Sequence, residues 1–350
     1  MNIAIVIPTL SMGGAEKMAL YQAGEFVKRG HDVTLLTTHD APDFYTHAPE
    51  IKRIKLNFPV KKSFIDFLFA PKRIRLLAKT LKEINPDAAI IHMNPPAGVA
   101  AKMADIPYIF AEHSHLPDTH INYFKKLVFE DAKCVVVLTD KDKKYVKKLL
   151  PKVKTSIIYN PAVKPPLEKD EKPAFFGPQR NIVAIGRLVE QKGFDMLIRA
   201  WAQIEDKFPH WQLNIIGKGE EQKKLQRLIE EFKLKNIKLP GAMQSPAAAF
   251  KYADLFVVSS RWEGFNLALC EAMSYNNAVV SFDCTGPDVI IRDGVDGFLV
   301  SQGSVTGLAE MMAILMENDA KREAFAAAAP DVLNRFTMDA YIDAYEKLLK

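Results

Sequence analysis

The stretch NIVAIGRLVEQKGFDMLIRAWAQIE, residues 181–205, joins two hydrophobic patterns across a short turn. Residues 181–186 form an apolar, β-branched run of about one strand's length, and residues 194–205 carry apolar side chains at helical spacing. The turn between them holds two glycines and two cations. A strand that runs through such a turn into a helix is the repeating unit of doubly wound parallel sheets, so we expect an α/β fold.

The same alternation of apolar strands and longer helical segments extends through both halves of the chain. Strands that are apolar throughout are typical of parallel sheets covered on both faces. Predicted strands cover residues 2–8, 33–38, 51–56, 88–93, 108–113, 135–139 and 157–159, and then 181–186, 212–216, 237–239, 255–259, 278–282 and 298–300. Predicted helices cover residues 14–29, 71–84, 141–150, 194–205, 220–232, 267–274, 306–317 and 338–350.

A break separates the two series. Residues 160–180 carry five prolines and many charges without any period, which indicates a linker. We predict four segments, listed in chain order: a Rossmann-like domain at 1–165, a proline-rich linker at 166–180, a second Rossmann-like domain at 181–335, and a helix at 336–350 that packs back across the domain junction. In such sheets a ligand lies beyond the carboxyl ends of the strands, so a cleft between the two domains is the expected site.

Composition excludes several classes of protein. The 350 residues are 48% hydrophobic and 25% charged, as in globular proteins, and no run of about 18 apolar residues predicts a membrane span. The three cysteines are odd in number and widely spaced, which favours reduced core residues in a cytosolic protein. The apolar start has no basic flank or cleavage site, so we interpret it as a buried strand.

The first predicted strand runs into a helix through Gly13 and Gly14. Adjacent glycines at a helix start leave backbone N–H groups open to an anion, although a simple tight turn explains the pattern as well. The sequence there is not G-x-G-x-x-G, so a nicotinamide cofactor is not supported.

Two further strand ends carry groups suited to a nucleotide. Arg187 and Lys192 follow strand 181–186, where a planar fork and a point charge can bind two phosphates; a pair of surface cations is the alternative. Gly217 and Gly219 follow strand 212–216, where they would admit the edge or face of a base.

The segment SSRWEGFNLALCEAM, residues 259–273, carries two carboxylates separated by seven residues. Glu263 lies in a loop, and Glu271 lies within an otherwise apolar helix, where a carboxylate is costly unless it is bonded. The two oxygens of Glu271 suit the vicinal hydroxyls of a ribose. A solvated helix face is the alternative.

In this order, the motifs G-G-A-E, G-R-x(4)-K-G, G-x-G and E-G-x(6)-E resemble glycosyltransferase family 4, the retaining enzymes with the GT-B fold, over nearly the whole chain. The resemblance implies that Arg187 and Lys192 bind the donor diphosphate and that Glu271 binds the ribose. It also implies that Glu263, with the backbone of its loop, holds the donor sugar. The loop residues are Gly264, Phe265 and Asn266.

The resemblance extends to further positions. Gly13 and Gly14 would lie against the phosphates, and His113, at a strand end, would point at the donor sugar; a satisfied core histidine is the alternative. Residues 281–290 resemble bacterial enzymes of lipid-linked or surface polysaccharide synthesis, which mostly use UDP-linked hexoses or N-acetylhexosamines. There Thr285 and Gly286 would present N–H groups to the phosphates ahead of a helix that begins with proline.

The reaction implied is retaining transfer, in which the acceptor attacks the face that the nucleotide leaves and a donor phosphate oxygen takes the proton. Positioning and charge stabilisation then carry the catalysis, and the cations substitute for a metal, so we expect no metal and no cofactor beyond the nucleotide-sugar substrate. A glycosidase would have no use for the cation pair. A phosphorylase on the same fold would need a lysine-bound pyridoxal site, which we do not find in the sequence. A UDP-sugar epimerase on the same fold and a non-catalytic nucleotide-sugar-binding protein at the membrane stay as alternatives.

The acceptor side is predicted from charge. Residues 1–165 hold 25 Lys+Arg against 16 Asp+Glu, and residues 61–75 and 141–154 mix cations with apolar side chains. Such patterns suit an anionic bilayer surface, whereas a solvated lysine-rich surface is the alternative and no nucleic-acid-binding module accompanies the charge. We therefore expect a cytoplasmic protein at the inner face of the cell membrane, acting on a glycan or lipid-linked oligosaccharide.

Overall fold

The structure is a computed structural model that describes residues 1–59, 64–119, 121–177 and 179–350, without the side chains of residues 64–69, 118 and 119. The chain divides into two compact units. The first combines Met1–Asn160 with Asp339–Lys350, and the second is Pro161–Met338.

The first unit is built on a seven-stranded sheet in which every neighbouring pair is parallel. Its strands are β1 (Asn2–Ile7), β2 (Asp32–His39), β3 (Lys52–Phe58), β4 (Ala88–His92), β5 (Tyr108–Ala111), β6 (Cys134–Val137) and β7 (Thr155–Ile157). Their order is β3-β2-β1-β4-β5-β6-β7, so the direction of winding reverses between β1 and β4. The helices of this unit are α1 (Gly14–Lys28), α2 (Phe64–Ile84), α3 (Pro95–Met103), α4 (Leu116–Thr119), α5 (Tyr123–Asp131), α6 (Asp140–Leu149) and the last helix of the chain, α15 (Met338–Leu349).

The second unit is built on a six-stranded sheet, again parallel throughout. Its strands are β8 (Arg180–Ile185), β9 (Trp211–Ile216), β10 (Ile237–Gly241), β11 (Leu255–Val258), β12 (Ala278–Phe282) and β13 (Gly297–Val300). The order is β10-β9-β8-β11-β12-β13, and the winding reverses between β8 and β11. The helices are α7 (Phe194–Ile204), α8 (Gln222–Glu231), α9 (Ala247–Lys251), α10 (Leu267–Ser274), α11 (Pro287–Ile290), α12 (Val305–Glu317), α13 (Asp319–Ala328) and α14 (Val332–Arg335), with short 3₁₀ turns at Glu190–Lys192, Glu205–Lys207 and Ala329–Asp331.

Each unit has its own apolar core around its sheet. Strands β5, β6 and β11 are buried at every residue, which is why their sequences are apolar throughout rather than alternating. Fully buried aromatic side chains fill the space between sheet and helices, Phe110 and Phe129 in the first unit and Trp201 and Phe282 in the second. The prediction of two doubly wound α/β sheets is confirmed.

Several helix predictions were incomplete. Helix α2 begins at Phe64 rather than at Pro71, which lies inside it. The sequence pattern favoured a start at the proline because the first turn of a helix does not need its N–H. Helices α3, α5 and α13 were not predicted; α3 consists largely of small residues, whose burial leaves little helical period to detect.

The segments predicted as a linker and as the last helix have different structures. Residues 161–177 contain no helix or strand. Helix α15 contributes Asp339–Lys350 to the first unit, where Tyr341 and Tyr345 are buried. Arg29 on the first unit binds the acidic face of this helix, with a salt bridge of 2.9 Å to Asp339.

Two further expectations concerned the cysteines and membrane-spanning helices. The three cysteines are buried and unpaired. Within the described ranges, no helix is long and apolar enough to cross a membrane.

Candidate active site

Most of the predicted site residues lie at the carboxyl ends of four adjacent strands of the second unit. The strands are β9, β8, β11 and β12, in that order across the sheet. They end in the loops that carry, respectively, Gly217 and Gly219, Arg187 and Lys192, Glu263 to Asn266, and Thr285 and Gly286. The winding reverses between β8 and β11, so the two most strongly charged loops flank the point where open α/β sheets bind ligands.

Lys192 and Glu263 form the centre of this arrangement. Their Nζ and Oε1 atoms lie 2.6 Å apart, and the side chains are 18% and 6% exposed. The same Oε1 accepts hydrogen bonds from Ser260 Oγ at 2.7 Å and from Asn266 Nδ2 at 3.0 Å. A buried carboxylate needs such donors, and three of them converge on one oxygen of Glu263.

The two side chains predicted to bind phosphate therefore differ in whether a carboxylate of the protein already binds them. Arg187 is exposed, and the described part of the chain offers it no salt bridge. Lys192 is held by Glu263, so an incoming anion must compete with that carboxylate for its ammonium group.

Backbone contacts fix the position of Lys192 against the loop that follows β11. Ser259 Oγ donates to the carbonyl of Lys192 at 2.9 Å. The next residue, Gly193, has φ +61°, and a Cβ atom there would lie 2.0 Å from the carbonyl oxygen of Ser259. Glycine is therefore required at this position for both its backbone conformation and its close approach.

An ion pair ties the same two loops together from the outside. Arg261 donates two hydrogen bonds of 2.8 Å to the carboxylate of Asp195 and one of 2.7 Å to the carbonyl of Glu190. Burial acts to raise the pKa of Asp195, but the hydrogen bonds and charge of Arg261 outweigh it, and the pKa lies below its ordinary value. Paired in this way, Arg261 positions the site loops rather than offering a free cation.

Helix α10 is held at its start by Asn266, whose Oδ1 accepts from the N–H of Leu269 at 3.0 Å. The Asn266 side chain thus caps the helix with its oxygen and binds Glu263 with its nitrogen. Glu271 lies on this helix and is 8% exposed. The cap therefore joins both predicted carboxylates in one structural element.

The remaining sugar-loop residues are buried. The ring of Phe265 packs edge-on against Phe336 with centroids 5.3 Å apart, which leaves its backbone for the role predicted. Gly286 has φ +98°, and a Cβ atom there would lie 3.2 Å from the carbonyl oxygen of Gly264. Its N–H donates to Asp288 Oδ1 at 3.0 Å, and the following helix begins at Pro287, as predicted.

Gly217 and Gly219 have a packing reason to be glycine. Cβ atoms there would lie 1.8 Å from the carbonyl oxygen of Gly186 and 2.3 Å from that of Leu188. The loop after β9 therefore lies directly against the loop that carries Arg187. A role toward a base stays a prediction.

In the first unit, Gly13 and Gly14 form the start of α1. The backbone of Gly13 is extended, and a Cβ atom there would lie 2.2 Å from Oε2 of Glu16. The carboxylate of Glu16 thus folds back over the positive end of its own helix. A phosphate at these glycines would have to displace it.

His113 follows β5 and belongs to a chain of buried polar groups. Its Nε2 lies 2.8 Å from Nδ1 of His92, and Nε2 of His92 lies 3.0 Å from Oε1 of Gln22 on α1. The two imidazole rings stack with centroids 5.1 Å apart. Burial lowers the pKa of His113 to about 4 and that of His92 well below its ordinary value, so both are neutral at pH 7.

Asp140 and Asp142 form a D-x-D pair at the start of α6, and both contact other residues of the protein. Asp142, buried at the start of α6, accepts hydrogen bonds at 2.8 Å from His115 and at 2.9 Å from the N–H of Leu116. Asp140 pairs with Lys144 at 2.5 Å. No cluster of three or more His, Cys, Asp or Glu suited to a metal is found among the described residues.

Sequence reasoning missed the groups that hold the predicted residues in place: Ser260, Asp195, His92 and Gln22. Asp195, His92 and Gln22 make their contacts across long sequence separations, which no local motif reveals, whereas Ser260 contacts Glu263 within the same segment. A polar residue in an apolar run is the available signal, and His92 at the end of its buried strand is one.

Comparison with known proteins matches both halves of the chain to glycosyltransferases. Residues 12–162 match the family described as "Glycosyltransferase Family 4", and residues 167–332 match "Glycosyl transferases group 1". An uncharacterized glycosyltransferase of Haemophilus influenzae is 25% identical over 88% of each chain. The α-1,4-N-acetyl-D-galactosaminyltransferase of Campylobacter jejuni that acts on a GalNAc-containing diNAcBac-PP-undecaprenol is 24% identical over 100% of this chain and 98% of its own.

The solved structure of HepE from Anabaena, in complex with UDP and glucose, superimposes with a TM-score of 0.81 and 19% identity over 99% of each chain. The fold and the family matches thus define a glycosyltransferase of the GT-B type. With both parts of the chain matched, the protein belongs to glycosyltransferase family 4.

Proposed function

We propose that this protein is a retaining, metal-independent glycosyltransferase that moves a hexose or N-acetylhexosamine from a UDP-sugar to a lipid-linked or surface-polysaccharide acceptor. The observation that carries the proposal is the convergence of Lys192, Glu263 and the cap of α10 at the strand ends flanking the β8–β11 reversal. Two similar proteins support the acceptor and donor classes: the Campylobacter jejuni enzyme acts on an undecaprenol-linked acceptor, and the Anabaena protein binds UDP and glucose.

The contacts of Glu263 support its role as a positioning carboxylate. Its Oε1 accepts three hydrogen bonds, one of them from a cation, and this lowers its nucleophilicity. Attack by the acceptor on the same face, with the donor phosphate taking the proton, needs no nucleophilic carboxylate.

Charge stabilisation is assigned to Arg187 and Lys192. As the bond from sugar to diphosphate breaks, negative charge grows on the leaving phosphate, and two preorganised cations stabilise it most at that moment. Glu271, on the capped helix, would hold the ribose in ground and transition states alike.

A surface on α5 supports contact with an anionic bilayer. Tyr123 is 77% exposed, Leu127 is 40% exposed and Phe124 is 38% exposed. Apolar and aromatic side chains on a unit rich in lysine suit the headgroup region of a cytoplasmic leaflet. Of the two contacts predicted from the sequence, at 61–75 and 141–154, the first lies partly outside the described residues, as residues 61–63 and the side chains of 64–69 are not described.

The reaction is tested by screening UDP-, GDP- and ADP-sugars with a membrane-lipid extract as acceptor, in excess EDTA, and by determining the anomeric configuration of the product by NMR. We expect UDP-sugar turnover that survives the chelator and keeps the α configuration. An inverted product would refute the retaining mechanism, and recovery of an isomerised UDP-sugar without transfer would indicate the epimerase instead. Binding without any turnover would favour the non-catalytic alternative.

The membrane contact is tested by co-sedimentation with vesicles of phosphatidylglycerol and phosphatidylcholine. Binding should fall as salt rises, and it should fall further in the triple variant Tyr123→Ser, Phe124→Ser, Leu127→Ser. Equal binding by the variant, or to neutral vesicles alone, would contradict the proposed surface. The exposed Phe232 of the second unit serves as the control, through Phe232→Ser.

A further inference from the structure

The chain Gln22–His92–His113 joins three elements of the first unit at the carboxyl edge of its sheet. Gln22 lies on α1, His92 is the last residue of β4, and His113 follows β5. Gln22 and His92 are fully buried. Neither belongs to the motifs from which the site was predicted, and neither has a role in the proposed reaction so far.

The hydrogen bonds determine where the protons lie. The amide oxygen Oε1 of Gln22 accepts only, so Nε2 of His92 must donate to it across 3.0 Å. Neutral His92 then has an unprotonated Nδ1, which accepts from Nε2 of His113 across 2.8 Å. His113, also neutral, is thereby fixed as the Nε2–H tautomer with a bare lone pair on Nδ1.

Among the residues that the structure describes, that lone pair has no partner. Nδ1 of His113 is buried and makes no hydrogen bond, which is costly for a polar atom and marks the place of a missing donor. The neighbouring carboxylate of Glu112 cannot be that donor, because an ionised carboxylate only accepts hydrogen bonds, as it does from Ser114 Oγ at 2.6 Å, with Lys125 paired to it at 2.5 Å.

We propose that Gln22 and His92 are positioning residues that hold His113 in the Nε2–H tautomer, so that its Nδ1 accepts a hydrogen bond from a substrate hydroxyl. This rests on the proposed function for the identity of the substrate. Because His113 is a weak base in its buried position, it orients the hydroxyl without removing its proton. The wrong tautomer would turn an N–H toward that position and leave the hydroxyl hydrogen without an acceptor.

The tautomer is measured directly by long-range ¹H–¹⁵N NMR of histidine-labelled protein at pH 7, with the signal of His113 assigned from its absence in His113→Asn. We expect a protonated Nε2 and an unprotonated Nδ1. In His92→Phe, which keeps a ring of similar shape but no nitrogen, and in Gln22→Leu, the signal should shift toward a mixture of tautomers. A protonated Nδ1 in the wild type would overturn the proposal.

Kinetics separate positioning from folding. For His92→Phe we expect kcat to fall at least about tenfold and UDP affinity to stay within about twofold, because free UDP lacks the sugar. His31→Asn is the matched control: His31 precedes β2 at the opposite edge of the same sheet, bound to Glu346 at 3.1 Å, and kcat should be unchanged.

The tautomer measurement and the kinetics together distinguish failure of the positioning role from failure of the proposed function. Unchanged kcat in both His92→Phe and Gln22→Leu, with the tautomer shifted, would overturn the positioning role. If no donor turns over in the wild type, the proposed function fails while the NMR result still decides the tautomer. Should His92→Phe fail to fold, Gln22→Leu supplies both measurements.

Discussion

The ammonium group of Lys192 lies 2.6 Å from Oε1 of Glu263, so two residues assigned to different parts of the donor bind each other in this structure. Lys192 comes from the turn after β8, and Glu263 comes from the loop after β11. A donor that brings a diphosphate to Lys192 and a hydroxylated sugar to Glu263 offers each partner a replacement for the other. The ion pair is therefore a competitor of the donor as well as part of its site.

Replacing Glu263 by Gln should separate binding from turnover. The amide keeps the shape of the side chain but loses its charge, so Lys192 is released toward the phosphates. We expect UDP affinity to stay equal or to tighten, and kcat with the intact donor to fall about 100-fold, the usual scale for losing one transition-state contact. Calorimetry and steady-state rates measure the two effects, with the exposed Glu190→Gln as control. A clear loss of UDP affinity would contradict the assignment.

Replacing Arg187 by Ala should weaken UDP directly. Its exposed guanidinium forms no salt bridge with the residues that the structure describes, so the loss is that of a charged hydrogen bond, about 1.5–3 kcal/mol. The exposed Arg227 on α8 is the matched control, and Arg227→Ala should leave the affinity unchanged. Equal affinities for wild type and Arg187→Ala by calorimetry would remove Arg187 from the phosphate site.

The role of Glu271 is tested by comparing UDP with 2′-deoxy-UDP. If its carboxylate accepts from both ribose hydroxyls, wild type should prefer UDP by about 1–3 kcal/mol, and Glu271→Ala should bind the two nucleotides alike. A preference that survives in the variant would assign the ribose to another group.

Gly193 should not tolerate alanine. Its φ of +61° disfavours a side chain, and the added Cβ atom would meet the backbone oxygen of Ser259 at 2.0 Å. Gly294 has φ +75° but open space around it, so Gly294→Ala isolates the conformational cost. Thermal unfolding should show a larger loss for Gly193→Ala, about 2 kcal/mol beyond the control. Equal losses would mean that the close approach to Ser259 relaxes freely.

The ion pair of Asp195 and Arg261 should make stability depend on pH in acid. The pKa of Asp195 is lowered from its ordinary 3.8 in the folded state, so the pair stabilises fully above that value and less as pH falls through the folded pKa. Unfolding by urea at pH 7 should show Asp195→Asn less stable by about 2 kcal/mol, and the gap should narrow below pH 4. A gap that widens in acid would contradict the ion pair.

The sheet architecture was predictable because strands buried on both faces have unmistakable sequences. The helices were less so: Pro71 indicated a start where the helix continues, and the small residues of α3 left no period to detect. In both helices, tertiary packing outweighs the local sequence preference.

The candidate site was likewise predictable only in part. The motifs located Arg187 and Glu263 because each follows a recognisable strand, but they did not predict the bond from Glu263 to Lys192. That contact depends on β8 and β11 being neighbours in the sheet, although the 69 residues at 186–254 separate the two strands in the sequence. Nor could any motif locate His92, which acts through another residue.

Helix α15 has a consequence for how the protein is made. The chain leaves the first unit at Asn160, builds the whole second unit, and returns at Asp339 with residues that the first unit buries, Tyr341 and Tyr345 among them. During synthesis, all residues of the second unit are translated before the last residues of the first unit. The first unit therefore stays incomplete, with the apolar face that α15 covers exposed, until the second unit has been translated.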